Sequence, residues 1–80
     1  MTKTETRLTY RYRIALETNA DVIEFNRLAN KVKEDVLLVG EDMILNAKSF
    51  IGVHMARIAW DELYVESDAD CYHSFEKFII

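Results

Sequence analysis

The chain has 80 residues, half of them apolar, with ten Lys or Arg against fourteen Asp or Glu and a formal net charge of −4. That length predicts a single domain, residues 1–80, because a smaller unit would bury too little surface, and a core this thin leaves little interior for a deep ligand cleft. The acidic balance disfavours a nonspecific polyanion binder, and Cys71 as the only cysteine excludes an intrachain disulfide and a Cys-rich metal knuckle.

The stretch from Met1 to Arg13 is polar and charged, and no apolar run approaches the length of a membrane span, so the expectation is a cytoplasmic protein without membrane insertion. Leu8, Tyr10, Tyr12, Ile14 and Leu16 alternate with Arg7, Thr9, Arg11, Arg13 and Glu17, which predicts a strand with one buried face. From Asn19 the period changes. Val22, Phe25, Leu28, Ala29 and Val32 recur at spacings of three and four, predicting a helix, with Thr18 and Asp21 as its cap.

Val36 to Val39 and Met43 to Leu45 flank Gly40-Glu41-Asp42 and predict a hairpin. Ser49 can cap a short helix carrying Phe50, Ile51, Val53 and His54, and Leu63 to Val65 form a brief strand. Ser67 to Asp70 reads as a capping segment for a last helical stripe of Cys71, Tyr72, Phe75, Phe78 and Ile79. The order β-α-β-β-α-β-α predicts an α+β open-faced β-sandwich, an antiparallel sheet covered on one face by helices.

The octet Asn46-Ala47-Lys48-Ser49-Phe50-Ile51-Gly52-Val53 closely resembles a segment of the HPr family, the phosphocarriers of the sugar phosphotransferase system, in which a Lys-Ser-x-x-Gly-Val run begins the second helix. The predicted element order matches the HPr fold from Tyr10 to Ile80. In that family the phosphoryl acceptor is a histidine in a Gly-x-His-x-Arg-Pro loop before the first helix, where helix amides and an arginine hold the phosphate. Here Leu16 to Ile23 contains no His, Arg or Pro and places Glu17 and Asp21 in the same region. Thr18 is a poor substitute, because a carrier needs a labile phosphoramidate and a threonine phosphoester is stable.

The resemblance implies a regulatory serine at Ser49, the target of a dedicated kinase in Gram-positive members of the family, where it controls docking to a transcription regulator. It also implies that Lys48, Phe50, Ile51 and His54 lie on the partner-binding surface of the second helix. The family's glycine after that helix is replaced by Ala56-Arg57. A phosphate on Ser49 would sit at a helix N-terminus beside unpaired amides and add about two negative charges.

Plainer roles stand beside these. Ser49 acts as a cap alone or as a cap and a phosphorylation site. Cys71 and His73 fall on different helix faces and do not converge on a metal. Arg7, Arg11 and Arg13 point away from Tyr10 and Tyr12, so stacking and phosphate contact share no surface and nucleic-acid binding is not predicted. Glu41-Asp42 and Asp61-Glu62 are turn acids, and Trp60 is a packing or rim aromatic.

The expected protein is thus not an enzyme and has no catalytic residue, cofactor or metal. It is an HPr-like regulatory or adaptor protein of the phosphotransferase system or of carbon-catabolite regulation, with Ser49 as the modified residue and an HPr kinase or transcription regulator as partner. The alternatives are a fold-only protein-binding adaptor without phosphorylation and a divergent phosphocarrier using another acceptor.

Overall fold

The computed structural model describes residues 9–80, so the expectations for Arg7 and Leu8 lie outside the described residues. The elements run β1 (Tyr10–Ile14), α1 (Asn19–Lys31), β2 (Val36–Val39), β3 (Ile44–Asn46), α2 (Phe50–Ala59), β4 (Leu63–Ser67) and α3 (Tyr72–Phe75), followed by a 3-10 turn at Glu76–Phe78. The strands form one antiparallel sheet in the order β1-β4-β2-β3. The fold is α+β, as the element order predicts.

Register explains the two faces. Tyr12 and Leu38 both pair with Val65, and Leu45 pairs with Leu38, so these four side chains share the helix-covered face. Arg11, Glu66, Leu37 and Asn46 occupy the neighbouring row on the opposite, open face. There Arg11 pairs with Glu66 at 3.2 Å and its guanidinium stacks over the Tyr64 ring at 4.4 Å. The alternation read in the first strand therefore has its physical origin in a sheet with one solvated side.

The helices close the other side. Val22, Phe25 and Ala29 form the buried stripe of α1, and Val53 and Ala56 that of α2. Phe25 is fully buried against Phe75 and Phe78, with ring centroids 4.9 and 5.9 Å apart. Burial of such a ring contributes roughly 1.5–3 kcal/mol.

The C-terminus departs from the predicted helical stripe. Cys71 immediately precedes α3, buried, its Sγ donating to the carbonyl of Ala69 at 3.3 Å, and burial pushes its thiol pKa up. Ile79 is not helical: it bridges to Ile14, the Ala15 amide donates to the Phe78 carbonyl, and the Ile80 amide donates to the Arg13 carbonyl. The last residues thus extend the β1 edge, which satisfies backbone groups that a longer helix would have left unpaired.

The fourth strand is longer and more central than Leu63-Tyr64-Val65 alone indicates. It extends through Glu66 to Ser67, whose buried hydroxyl donates to the Asp35 carbonyl at 2.7 Å and accepts from the Ala69 amide. Among the described residues, no helix is long and apolar enough to cross a membrane.

Candidate functional site

The second helix begins where the sequence places its cap. Ser49 has extended backbone angles, and its Oγ accepts from the Gly52 amide at 3.2 Å. The preceding turn is fixed by the Asn46 side chain, which accepts from the Lys48 amide at 2.9 Å, and by Asn30 of α1, which donates to the Lys48 carbonyl at 3.2 Å. Ser49 itself is exposed while its side chain caps α2.

The four residues assigned to partner contact do not all present themselves equally. Phe50 and Ile51 are both exposed, at 47% and 69%. Lys48 is half-buried. His54 is also half-buried, its ring stacks near Phe50 with centroids 6.2 Å apart, and its Nδ1 is buried without a hydrogen-bond partner. His54 therefore flanks the exposed face rather than crowning it.

On the exposed face Ile51 is joined by two residues the family-based assignment passed over, Met55 and Ile58. Ile51, Met55 and Ile58 stand at i, i+4 and i+7 of α2, and the last two are 61% and 70% exposed. Beside them, Met43, Leu45, Met55, Ala59 and Trp60 line an apolar groove between α2 and the β2–β3 turn. These side chains leave an apolar stripe of α2 uncovered by the rest of the domain. Periodicity alone did not reveal it, because α2 is apolar on nearly every side and only the packing of Val53 and Ala56 decides which face turns inward.

The loop before α1 is built differently from a phosphate cradle. Thr18 Oγ1 accepts from the Asp21 amide at 3.1 Å, while Asp21 Oδ2 accepts from the amides of Glu17 and Thr18. These reciprocal bonds form a capping box, in which the Glu17 and Thr18 amides already meet a carboxylate and the Asp21 amide a hydroxyl. Ala56 and Arg57 lie within α2 rather than after it, because the helix continues to Ala59, and Arg57 in its last turn reaches back to this loop. Its Nε donates to the Leu16 carbonyl at 3.1 Å and its Nη2 to the Glu17 carbonyl at 2.7 Å. Its Nη1 lies 3.4 Å from Asn19 Oδ1. Sequence reading missed this clamp because its partners lie about forty residues away, and nothing local signals it.

Neither histidine sits in a cluster of potential ligands among the described residues. The His73 side chain is 94% exposed whereas Cys71 is buried, and among the described residues no cluster of three or more His, Cys, Asp or Glu side chains has ligand geometry. Comparisons with protein-family models, with curated proteins and with solved structures found no match to this chain.

Proposed function

We propose that this protein is an HPr-like regulatory or adaptor protein of the phosphotransferase system or carbon-catabolite regulation, acting in the cytoplasm by docking a protein partner on α2. The observation that carries this reading is the exposed Ile51–Met55–Ile58 stripe beginning two residues after an exposed, helix-capping Ser49. The Lys-Ser-x-x-Gly-Val resemblance supplies the regulatory role for that serine. The loop at α1 supports a regulatory protein over a phosphocarrier, since it offers no histidine as nitrogen nucleophile and places the Asp21 carboxylate where a phosphate would have to sit.

Phosphorylation of Ser49 would retain the cap, because a phosphate oxygen accepts from the same helix amides, and would add about −1.5 to −2 charge beside the docking stripe. The test is to incubate the protein with an HPr kinase and ATP, and separately with the phosphotransferase first enzyme and phosphoenolpyruvate, locating any phosphate by mass spectrometry. Labelling at Ser49 by the kinase alone is the expected result. Acid-labile phosphate on His54 or His73 would establish a phosphocarrier and overturn it. The second reading, an adaptor never phosphorylated, is favoured by the complete structural role Ser49 already has as a cap, and absence of label in both reactions would select it.

A further inference from the structure

The apolar groove does not end in neutral surface. At Ala59 and Trp60 it runs into a second concavity, lined also by Gly40, Glu41, Asp61, Glu62 and Tyr64. No Lys or Arg lines either one. Glu62 is engaged by Arg13 at 3.8 Å and accepts from the Tyr64 hydroxyl at 3.2 Å, but among the described residues Glu41, Asp42 and Asp61 have no cationic partner. The C-terminal carbonyls of α2, the negative end of its dipole, open at the same place. The surface along α2 therefore passes from apolar to acidic, and Asp61 at its end also lines an adjoining concavity with Arg13 and Arg57.

We infer that this surface receives an amphipathic helical segment of a partner protein whose apolar side chains fill the groove and whose Lys or Arg residues enter the acidic end. The inference rests on the reading of α2 as the docking surface and adds the partner's chemistry to it. The Ile51-to-Ile58 stripe is about 10 Å long, which matches two turns of a partner helix. Met43 and Met55 at its edge are flexible enough to close around side chains of different shape. Charge selects among occupants. A second copy of this chain would bring the same acidic end and another −4 of net charge, and a nucleic acid or anionic membrane would be repelled.

The test uses the full-length, isotope-labelled protein and three synthetic peptides, followed by backbone amide NMR. One is a helical Leu/Lys peptide with an apolar face and lysines clustered at one end. The second replaces Lys with Glu, and the third scrambles the first. Saturable shifts at Met43, Ile51, Met55, Ala59 and Asp61 with the first peptide alone are expected. Ile51→Asp, on an exposed position, should abolish them with the remaining spectrum unchanged, and the pair Glu41→Gln with Asp61→Asn should weaken binding about fivefold. Equal binding by the Leu/Glu or scrambled peptide would overturn the inference, as would no binding, shifts on the open face of the sheet, or groove shifts that track protein concentration without peptide. Kinase labelling of Ser49 is read separately: label without peptide binding removes this partner chemistry but leaves the regulatory reading, and peptide binding without label does the reverse.

Discussion

The Tyr12 hydroxyl donates to Asp70 Oδ1 at 2.7 Å, joining the first strand to the turn that leads into α3. The same carboxylate oxygen accepts from the Tyr72 amide at 3.1 Å, and the Tyr12 and Tyr72 rings meet edge to face. The bond holds the phenolic proton: hydrogen bonding to Asp70, then burial and the nearby negative charge, push the Tyr12 pKa up to about 12. The Tyr12 hydroxyl and the Tyr72 amide hold the Asp70 carboxyl below its ordinary value.

Opposite signs follow for the two groups. Asp70 is more acidic in the folded chain, so its contribution to stability is present above the unfolded carboxylate pKa and is lost as pH falls through the folded value. Tyr12 is less acidic in the folded chain, so its contribution is complete below the ordinary phenol value near 10 and is lost as pH rises towards about 12. Asp70→Asn should bring the Tyr12 titration back towards 10, read from its ring carbon shifts by NMR. A Tyr12 titration that does not move in this variant would disprove the coupling.

The indole of Trp60 occupies the space where a side chain at position 40 would stand. A Cβ added to Gly40 would lie 2.3 Å from Trp60 Cδ2 and Cε3, so the glycine is required for room. Gly40→Ala should cost about 1–3 kcal/mol in urea denaturation. In the Gly40→Ala, Trp60→Ala double variant the two losses should sum to less than their separate values, because the clash is gone.

Removing Arg57 releases three groups of the β1–α1 loop at once. Arg57→Ala is expected to destabilise by about 1–3 kcal/mol and to speed amide exchange at Asn19 and Asp21 more than at Val65. Arg57→Lys should restore little of this, since an ammonium cannot span both carbonyls in the same plane.

Phe25→Ala, in the closed stack with Phe75 and Phe78, should cost about 3–5 kcal/mol, a large share of the 5–15 kcal/mol that typical domains possess. Phe50→Ala is the contrast. Its ring is exposed, and the change should stay within about 0.5 kcal/mol. Thermal unfolding followed by circular dichroism separates the two outcomes.

Local chemistry was legible where partners lie close in sequence. Thr18 and Asp21 are three residues apart and form the capping box they spell, Ser49 caps α2 through the Gly52 amide, and the Tyr10–Ile14 alternation matches the two faces of β1. What escaped depends on distant partners. Glu66 looks like the polar end of a brief strand until Arg11, fifty-five positions away, is placed opposite it. Ile79 continues an apolar helical spacing, yet the bonds offered by Arg13 and Ala15 draw it into the sheet. The exposed apolar stripe is only partly legible in the sequence, since the family resemblance points to Ile51 and Phe50 while Met43, Met55 and Ile58 stand out only once the buried side of α2 is known.

The strand at the centre of the sheet, β4, is the last of the four to be synthesised, and both of its neighbours precede it by at least twenty-four residues. On the ribosome, β1 and the β2–β3 hairpin emerge with no strand to join them, and α1 and α2 have only half a surface to cover. Assembly must therefore wait for Leu63 to Ser67 to leave the exit tunnel and then close long loops on both sides together, so folding is late, concerted and slow relative to helical domains of this length. A nascent chain stalled before Leu63 would present the β2 edge unpaired, the form in which this protein is most exposed to aggregation.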